Sequence, residues 1–374
     1  MKIVILADPL NNQGAGVHVY TKMLVKSLEK QKNQHETILI CQKEIGFTDL
    51  PCILVPSIQM PIGYQSLRLF FIIPRIIKKL NPDVVIEPTH FGPFNLPGHI
   101  KRITIIHDLT PIMCPHWHRF HSQLLQRIFL KGILKRADLI VTNSQNTSKD
   151  LLSYAPYTKN KTQNVYLGKD PIFKPNSNSD LIKKYGVGFP FFLYVGTIEP
   201  RKNLSGLLHA YEKFRQGKRS KAQLVIIGGK GWKSKEFFKS LNNHPYKPDI
   251  VLPGYIPTEE LPVFYTEALA FVYPSFYEGF GFPILEAMSC GTPCITSKVS
   301  SLPEVGGDAA LYVDPYSASE IAEKMEMIAS DKKLRESLSK KSLEQSSKFS
   351  WDKFGSEFLQ LLDEKFNPPV GGQG

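Results

Sequence analysis

At 374 residues the chain is long enough for two domains of roughly 150 residues each. Its 42% hydrophobic and 21% charged residues exclude a disordered or fibrous protein, and no run of about eighteen uncharged apolar residues suggests a membrane span. The formal charge of +12 favours anionic partners, but no nucleic-acid-binding module accompanies it, so nucleic acid is not expected among them.

The first seven residues meet Asp8 too early for a signal peptide, and Ile3–Ala7 reads as a strand. Gly14-Ala15-Gly16 follows and opens a helix over Val17–Leu28, where glycines allow a ligand to approach the helix N-terminus. The third glycine of a dinucleotide fingerprint would fall at Val19, and no acid stands at the required distance. A dinucleotide cofactor is therefore not expected, and a plain tight turn is the alternative. Thr37–Cys41 is a second strand. From Tyr64 to Leu80 the chain carries Arg68, Arg75, Lys78 and Lys79 without an acid, among many Leu, Ile and Phe residues. Such a segment can lie on an anionic membrane surface. Its alternative is a core helix with snorkelling basic ends, kinked at Pro74.

Val84–Glu87 and Ile103–His107 are further strands, and the second ends in His107-Asp108. Histidine is the side chain best suited to donate a hydrogen bond or move a proton near neutral pH, although a strand-end histidine can be structural. Lys101 to Arg136 contains seven Lys/Arg and the single acid Asp108. A helix over Leu124–Leu134 and a strand over Leu139–Thr142 complete this half. Strands alternating with helices indicate a doubly wound parallel sheet.

Between about Gly168 and Tyr185, Pro171, Pro175 and Asn176-Ser177-Asn178-Ser179 mark a linker, and then the pattern restarts. Phe191–Val195 is a strand, followed by Gly196-Thr197-Ile198-Glu199-Pro200-Arg201-Lys202-Asn203 and a helix over Leu204–Phe214. A glycine turn with two cations before a helix suits a diphosphate leaving group; a solvated basic loop is the alternative. The strand Leu224–Gly228 leads into Gly229-Lys230-Gly231, which lacks the Lys-Ser/Thr of a P-loop. Ile250–Leu252 ends in the turn Gly254-Tyr255-Ile256, suited to a nucleobase. A helix over Glu259–Ala268 and a strand over Ala270–Pro274 precede Glu278-Gly279-Phe280-Gly281-Phe282-Pro283-Ile284-Leu285-Glu286. Pro283 suits a first helical turn, so Glu278 is expected in a strand-end loop and Glu286 in the first turn of the helix Pro283–Cys290. Two carboxylates flanking an anion cradle can grip a sugar and a ribose on either side of a diphosphate; a dipole-complementing Glu286 is the alternative. Pro293–Thr296 is a strand, Ser319–Ala329 and Leu334–Lys348 are helices, and Trp351–Phe366 is a final amphipathic helix.

Five cysteines, at 41, 52, 114, 290 and 294, form no Cys-x-x-Cys pair. This argues against a disulfide framework or a zinc site and for a reducing, cytoplasmic location. No Asp-x-Asp, His-Glu-x-x-His or Gly-x-Ser-x-Gly element is present.

The ordered set Val195–Leu204, Leu252–Ile256, Tyr273–Ala287 and Ser301–Val305, with Ile106–Pro111 and Val141–Ser144, resembles retaining glycosyltransferases of family four, in their bacterial mannosyltransferase-like form. The resemblance implies the α/β GT-B fold: two Rossmann-like domains facing across a central cleft. Residues 1–170 would be the acceptor domain and 171–350 the nucleotide-sugar domain, with the helix 351–366 packed back on the first. It implies that Glu278 contacts donor-sugar hydroxyls together with Gly279, Phe280 and Gly281. Glu286 would hold the ribose, and Arg201 and Lys202 the diphosphate. Gly196, Thr197, Gly254, Tyr255 and Ile256 would line the donor, Gly14, Ala15 and Gly16 the phosphates and acceptor, and His107 the reacting sugar. Many relatives carry Arg where this chain has Thr197, and Arg201 is the expected replacement. The implied partners are a nucleoside-diphosphate-sugar donor, with GDP-mannose foremost, and a saccharide or lipid-linked glycan acceptor in O-antigen or exopolysaccharide synthesis. No metal or other cofactor is expected. A nucleotide-sugar epimerase or hydrolase, or a noncatalytic sugar-nucleotide-binding subunit, is the alternative.

Overall fold

The computed structural model describes residues 1–11, 16–31, 34–56, 67–90, 92, 95–117, 120–217 and 220–367. The chain divides into two compact units, Met1–Gly168 with the segment that begins at Trp351, and Lys169–Ser350. Each carries its own parallel sheet.

In the first unit β1 (Lys2–Leu6), β2 (Glu36–Cys41), β3 (Cys52–Leu54), β4 (Val84–Glu87), β5 (Lys101–Ile106), β6 (Leu139–Thr142) and β7 (Thr162–Asn164) lie in the order β3-β2-β1-β4-β5-β6-β7. The central strands are unbroken Val/Ile runs because helices cover both faces. Ile3, Val4, Ile5, Val84, Val85 and Ile86 are fully buried. On one face Val4, Ile40 and Val85 pack with Ile73 and Ile77; elsewhere Ile106 and Ile140 pack with Leu130, Leu134 and Leu151.

In the second unit β8 (Phe191–Val195), β9 (Gln223–Ile227), β10 (Ile250–Gly254), β11 (Ala270–Tyr273), β12 (Cys294–Ser297) and β13 (Ala310–Val313) lie in the order β10-β9-β8-β11-β12-β13. The strand order reverses between β1 and β4 in the first unit and between β8 and β11 in the second. Open parallel sheets bind ligands outside the carboxyl ends of their strands at such reversals.

The helix Trp351–Phe366 belongs to the first unit. It packs on the helix Gly16–Glu29: Phe354 meets Tyr20 edge-to-face at 5.3 Å, and a Cβ on Gly355 would lie 2.6 Å from Ser27 Oγ.

Four expectations need correction. Cys41 and Cys52 form a disulfide, with their Cα atoms 6.8 Å apart. The short edge strand β3 pairs in parallel with β2 and brings Cys52 there, a contact invisible while β3 is unread. The cysteine pattern therefore supplies no argument for a reducing compartment. Pro74 does not fall inside a single helix: a π-helical turn, Arg68–Ile72, precedes it, and it sits in the first turn of the helix Ile73–Leu80, where its missing N–H is harmless. Arg68 is not a surface cation but is buried against Asp8. Glu286 lies one residue deeper than expected, just past the first turn, because its helix spans Phe282–Ser289 with Gly281 as its N-cap.

Candidate active site

The reversal in the second unit gathers charge. Beyond β8 a short 3-10 turn, Pro200–Lys202, aims two cations across to the loop beyond β11. Arg201 Nη1 donates to Glu278 Oε2 at 2.8 Å, and Lys202 Nζ donates to Glu278 Oε1 at 2.8 Å. Arg201 also donates to Glu199 Oε1 at 2.9 Å and to the carbonyl of Tyr277 at 2.8 Å. Lys202 lies over the Tyr273 ring, 5.0 Å from its centroid. Asn203 fixes the turn by donating to the carbonyls of Pro274 and Pro315.

The Glu278 side chain is only 8% exposed. Burial would raise its carboxyl, but Arg201 and Lys202 outweigh burial and hold it at about 2. It is therefore a carboxylate throughout the physiological range. Burial pulls the Lys202 ammonium down, and Glu278 opposes this. Glu199, nearly enclosed, has its carboxyl raised by burial against the pull of Arg201 and Lys202.

Two adjacent serines hold the Glu278 loop. Glu278 N–H donates to Ser300 Oγ at 3.0 Å, and buried Ser301 Oγ lies 2.9 Å from the carbonyl of Glu278 and 2.7 Å from that of Phe280. The Phe280 side chain is buried against Phe282 and Phe349. Gly281 has φ +114° and caps the helix on which Glu286 stands. Glu286 is half-buried and accepts from the Tyr265 hydroxyl at 2.9 Å. Burial pushes its carboxyl up to about 7, with Tyr265 opposing and Asp170 adding to the rise.

Three glycines, Gly196, Gly228 and Gly254, end the neighbouring strands β8, β9 and β10 as a stepped shelf. Gly196 N–H donates to Ile227 O, and Gly228 N–H to Gly254 O. A Cβ on Gly228 would sit 2.1 Å from Gly196 O. Thr197 and Tyr255 are exposed beside this shelf, while Ile256 is buried.

In the first unit, Gly14 and Ala15 lie outside the described residues, and Gly16 opens the helix Gly16–Glu29. Asp8, just beyond β1, is clamped by Arg68, whose Nε also donates to Val55 O at 2.8 Å. His107 follows β5, half-buried, with Nε2 2.8 Å from the carbonyl of Pro88 and its ring 5.0 Å from that of Tyr20. The carbonyl can only accept, so Nε2 carries the proton. Burial lowers the imidazole, partly countered by Pro88 and Asp108, so it is neutral near pH 7. Asp108 accepts from Thr110 N–H and hydroxyl, so it caps a turn instead of pairing with His107. His90, pulled down to about 4 by burial, lies against Gln126 nearby.

Reading the sequence alone misses Glu199, Tyr273, Asn203, Ser300, Ser301, Tyr20 and His90. Glu199 and Asn203 stand inside the Val195–Leu204 run, Tyr273 opens Tyr273–Ala287 and Ser301 opens Ser301–Val305; Ser300, Tyr20 and His90 carry no spacing signal.

Chemically, the second unit offers a fixed carboxylate that can accept from sugar hydroxyls, two cations within reach of a diphosphate, and a second carboxylate suited to a diol. Comparison with known proteins agrees. Residues 14–171 match the family model described as Glycosyltransferase Family 4, and residues 179–345 match that described as Glycosyl transferases group 1. The chain is 36% identical over 370 residues to the O-antigen chain mannosyltransferase B of Escherichia coli, covering 94% of this chain and 97% of that one. Among solved structures it is similar to the sucrose-phosphate synthase from Thermosynechococcus elongatus, with TM-score 0.78, 21% identity and coverage of 98% and 99%. It is also similar to WaaG, a glycosyltransferase involved in lipopolysaccharide biosynthesis, with TM-score 0.74, 15% identity and full coverage of both chains.

Proposed function

Because the chain belongs to glycosyltransferase family four, we propose that it moves mannose from GDP-mannose to a saccharide or lipid-linked glycan with retention of configuration. It is a GT-B glycosyltransferase of cell-surface polysaccharide synthesis. The mannose assignment is supported by the 36% identical mannosyltransferase.

The observation that carries the mechanism is Glu278 held between Arg201 and Lys202 where the sheet order reverses. As the sugar–phosphate bond breaks, negative charge grows on the diphosphate, and both cations already stand there at no further ordering cost. Glu278 orients the sugar through its hydroxyls, and Glu286 takes the ribose diol. His107 meets the reacting sugar with a neutral ring, whose Nδ1 accepts from a hydroxyl while Nε2–H stays on the carbonyl of Pro88. With two fixed cations at the leaving group, the reaction requires no metal. The leaving phosphate helps to deprotonate the acceptor. A thermal-shift screen of the full chain against GDP, UDP and dTDP tests the donor. GDP should raise Tm most; a larger shift with UDP or dTDP would reassign the base.

A second partner is an anionic membrane surface. Leu67 just before the π-helical turn, Phe71 within it, and Leu124 and Ile128 of the helix Phe120–Arg136 are all more than 40% exposed. The two elements meet through Phe70 and Phe129, 5.5 Å apart. Exposed Arg75, Lys78, Arg127 and Lys131 accompany them. None of the described helices is long and apolar enough to cross a membrane, so the contact is peripheral. Cosedimentation with phosphatidylglycerol vesicles but not phosphatidylcholine vesicles is expected; equal recovery with both would remove this partner.

A further inference from the structure

The loops at the carboxyl ends of the second sheet expose two large aromatic rings. Tyr255 is 77% exposed beyond β10, and Tyr316 is 78% exposed beyond β13. These strands are the opposite edges of the sheet, and the charge cluster follows its two central strands, β8 and β11. Tyr255 shares the glycine shelf assigned to the nucleobase. Tyr316 has no place in that assignment.

The Tyr316 ring leans on a second aromatic, and its backbone is anchored. One face rests on Phe276, with centroids 4.7 Å apart and planes 32° apart. Tyr316 N–H donates to Asp314 Oδ1 at 2.9 Å, and the carbonyl of the preceding Pro315 accepts from Asn203 at 2.6 Å. Ser317 then caps the helix Ala318–Ser330. Both supports lead back to the charge cluster: Asn203 directly follows Lys202, and Phe276 N–H donates to the carbonyl of Arg201 at 2.9 Å. An exposed ring that leans on a second aromatic, its backbone anchored beside two catalytic cations, has the form of a ligand contact.

We propose that the exposed face of Tyr316, backed by Phe276, is a stacking platform for a pyranose ring of the acceptor glycan. The apolar C–H face of a pyranose fits the electron-rich face of an aromatic ring, while its hydroxyl edges reach the polar groups around it. A lipid chain would need a continuous apolar surface, whereas Tyr316 stands beside Asp314 and the charged turn. A nucleobase has its own site at the opposite edge of the sheet. The platform makes the enzyme favour an acceptor of several sugars over a single one. This inference rests on the reading of the protein as a mannosyltransferase.

The test is saturation-transfer NMR of mannotriose with the full chain, wild type against Tyr316→Ala and Tyr316→Phe. The GDP-induced thermal shift is recorded for each protein. Mannotriose ring protons should receive saturation from wild type and Tyr316→Phe, and Tyr316→Ala should weaken binding by about tenfold. The GDP shift should persist in all three, showing intact folds. Unchanged mannotriose binding in Tyr316→Ala, equal loss in Tyr316→Phe, or no saturation with wild type would each overturn the platform. Absence of a GDP shift in wild type would instead strike the donor assignment.

Discussion

Glu278 binds two cations at once: Arg201 Nη1 stands 2.8 Å from one carboxylate oxygen and Lys202 Nζ 2.8 Å from the other. The sugar-gripping acid and the phosphate-gripping cations thus form one unit, each fixing the others. Removing the charge while keeping the shape isolates the catalytic part. Glu278→Gln should lower turnover by roughly 10²–10³-fold while the chain stays folded. Glu278→Ala should in addition cost about 3–5 kcal/mol, because it leaves two neighbouring cations buried without their partner. Turnover near wild type in Glu278→Gln, measured beside circular dichroism, would remove Glu278 from the site.

Glu286 makes the enzyme sensitive to pH. Its carboxyl, raised to about 7 by burial, is protonated at acid pH in the fold but ionised in the unfolded chain above the usual carboxylate range. The stability it contributes is present below that range and is lost as pH rises through about 7. Glu286→Gln should therefore gain stability relative to wild type between about pH 5 and pH 8. Nucleotide affinity should run the other way, strengthening as the carboxylate forms to accept the ribose diol. Titration calorimetry across this range should show the trend in wild type and a flat profile in Glu286→Gln.

His107 should act as a neutral acceptor through Nδ1, because burial keeps its imidazole below the ordinary histidine value and Nε2 holds its proton against Pro88 O. His107→Ala should lower kcat by about 10²-fold or more. The pH–rate profile of wild type should show no loss of activity attributable to a histidine between about pH 7 and pH 8. A steep change there that vanishes in His107→Ala would show that the charged form acts.

Gly228 sets the spacing of the glycine shelf. Its φ is +147°, and a side chain there would collide with the carbonyl of Gly196. Gly228→Ala should destabilise the chain by roughly 2 kcal/mol or more, read from urea unfolding. It should also weaken nucleotide binding, because the shelf would have to part. Gly229→Ala, where a Cβ meets nothing within 4 Å, is the matched control.

Much of this was legible in the sequence because parallel sheets write themselves as apolar runs. The strands from β4 to β12 that lie inside their sheets, such as Leu139–Thr142 and Phe191–Val195, carry that signal. The edges do not. β7 is Thr-Gln-Asn, β3 is three residues after a proline, and both are held by pairing with a neighbour. For the same reason the Cys41–Cys52 bond was hidden. At the site, Glu278, Arg201 and Lys202 were legible by type and position, but their mutual pairing was not, since 76 residues separate Lys202 from Glu278. Arg68 shows the converse: a basic, apolar segment suggests a surface until Asp8 draws its arginine inside.

The most direct measurement incubates the full chain with GDP-α-mannose and mannotriose in excess EDTA and follows the anomeric protons by NMR. Stoichiometric release of GDP with a new α-linked mannose is the predicted result. A β-linked product, GDP release without transfer, or reaction only when a divalent cation is restored would contradict retaining transfer driven by the Arg201–Glu278–Lys202 unit.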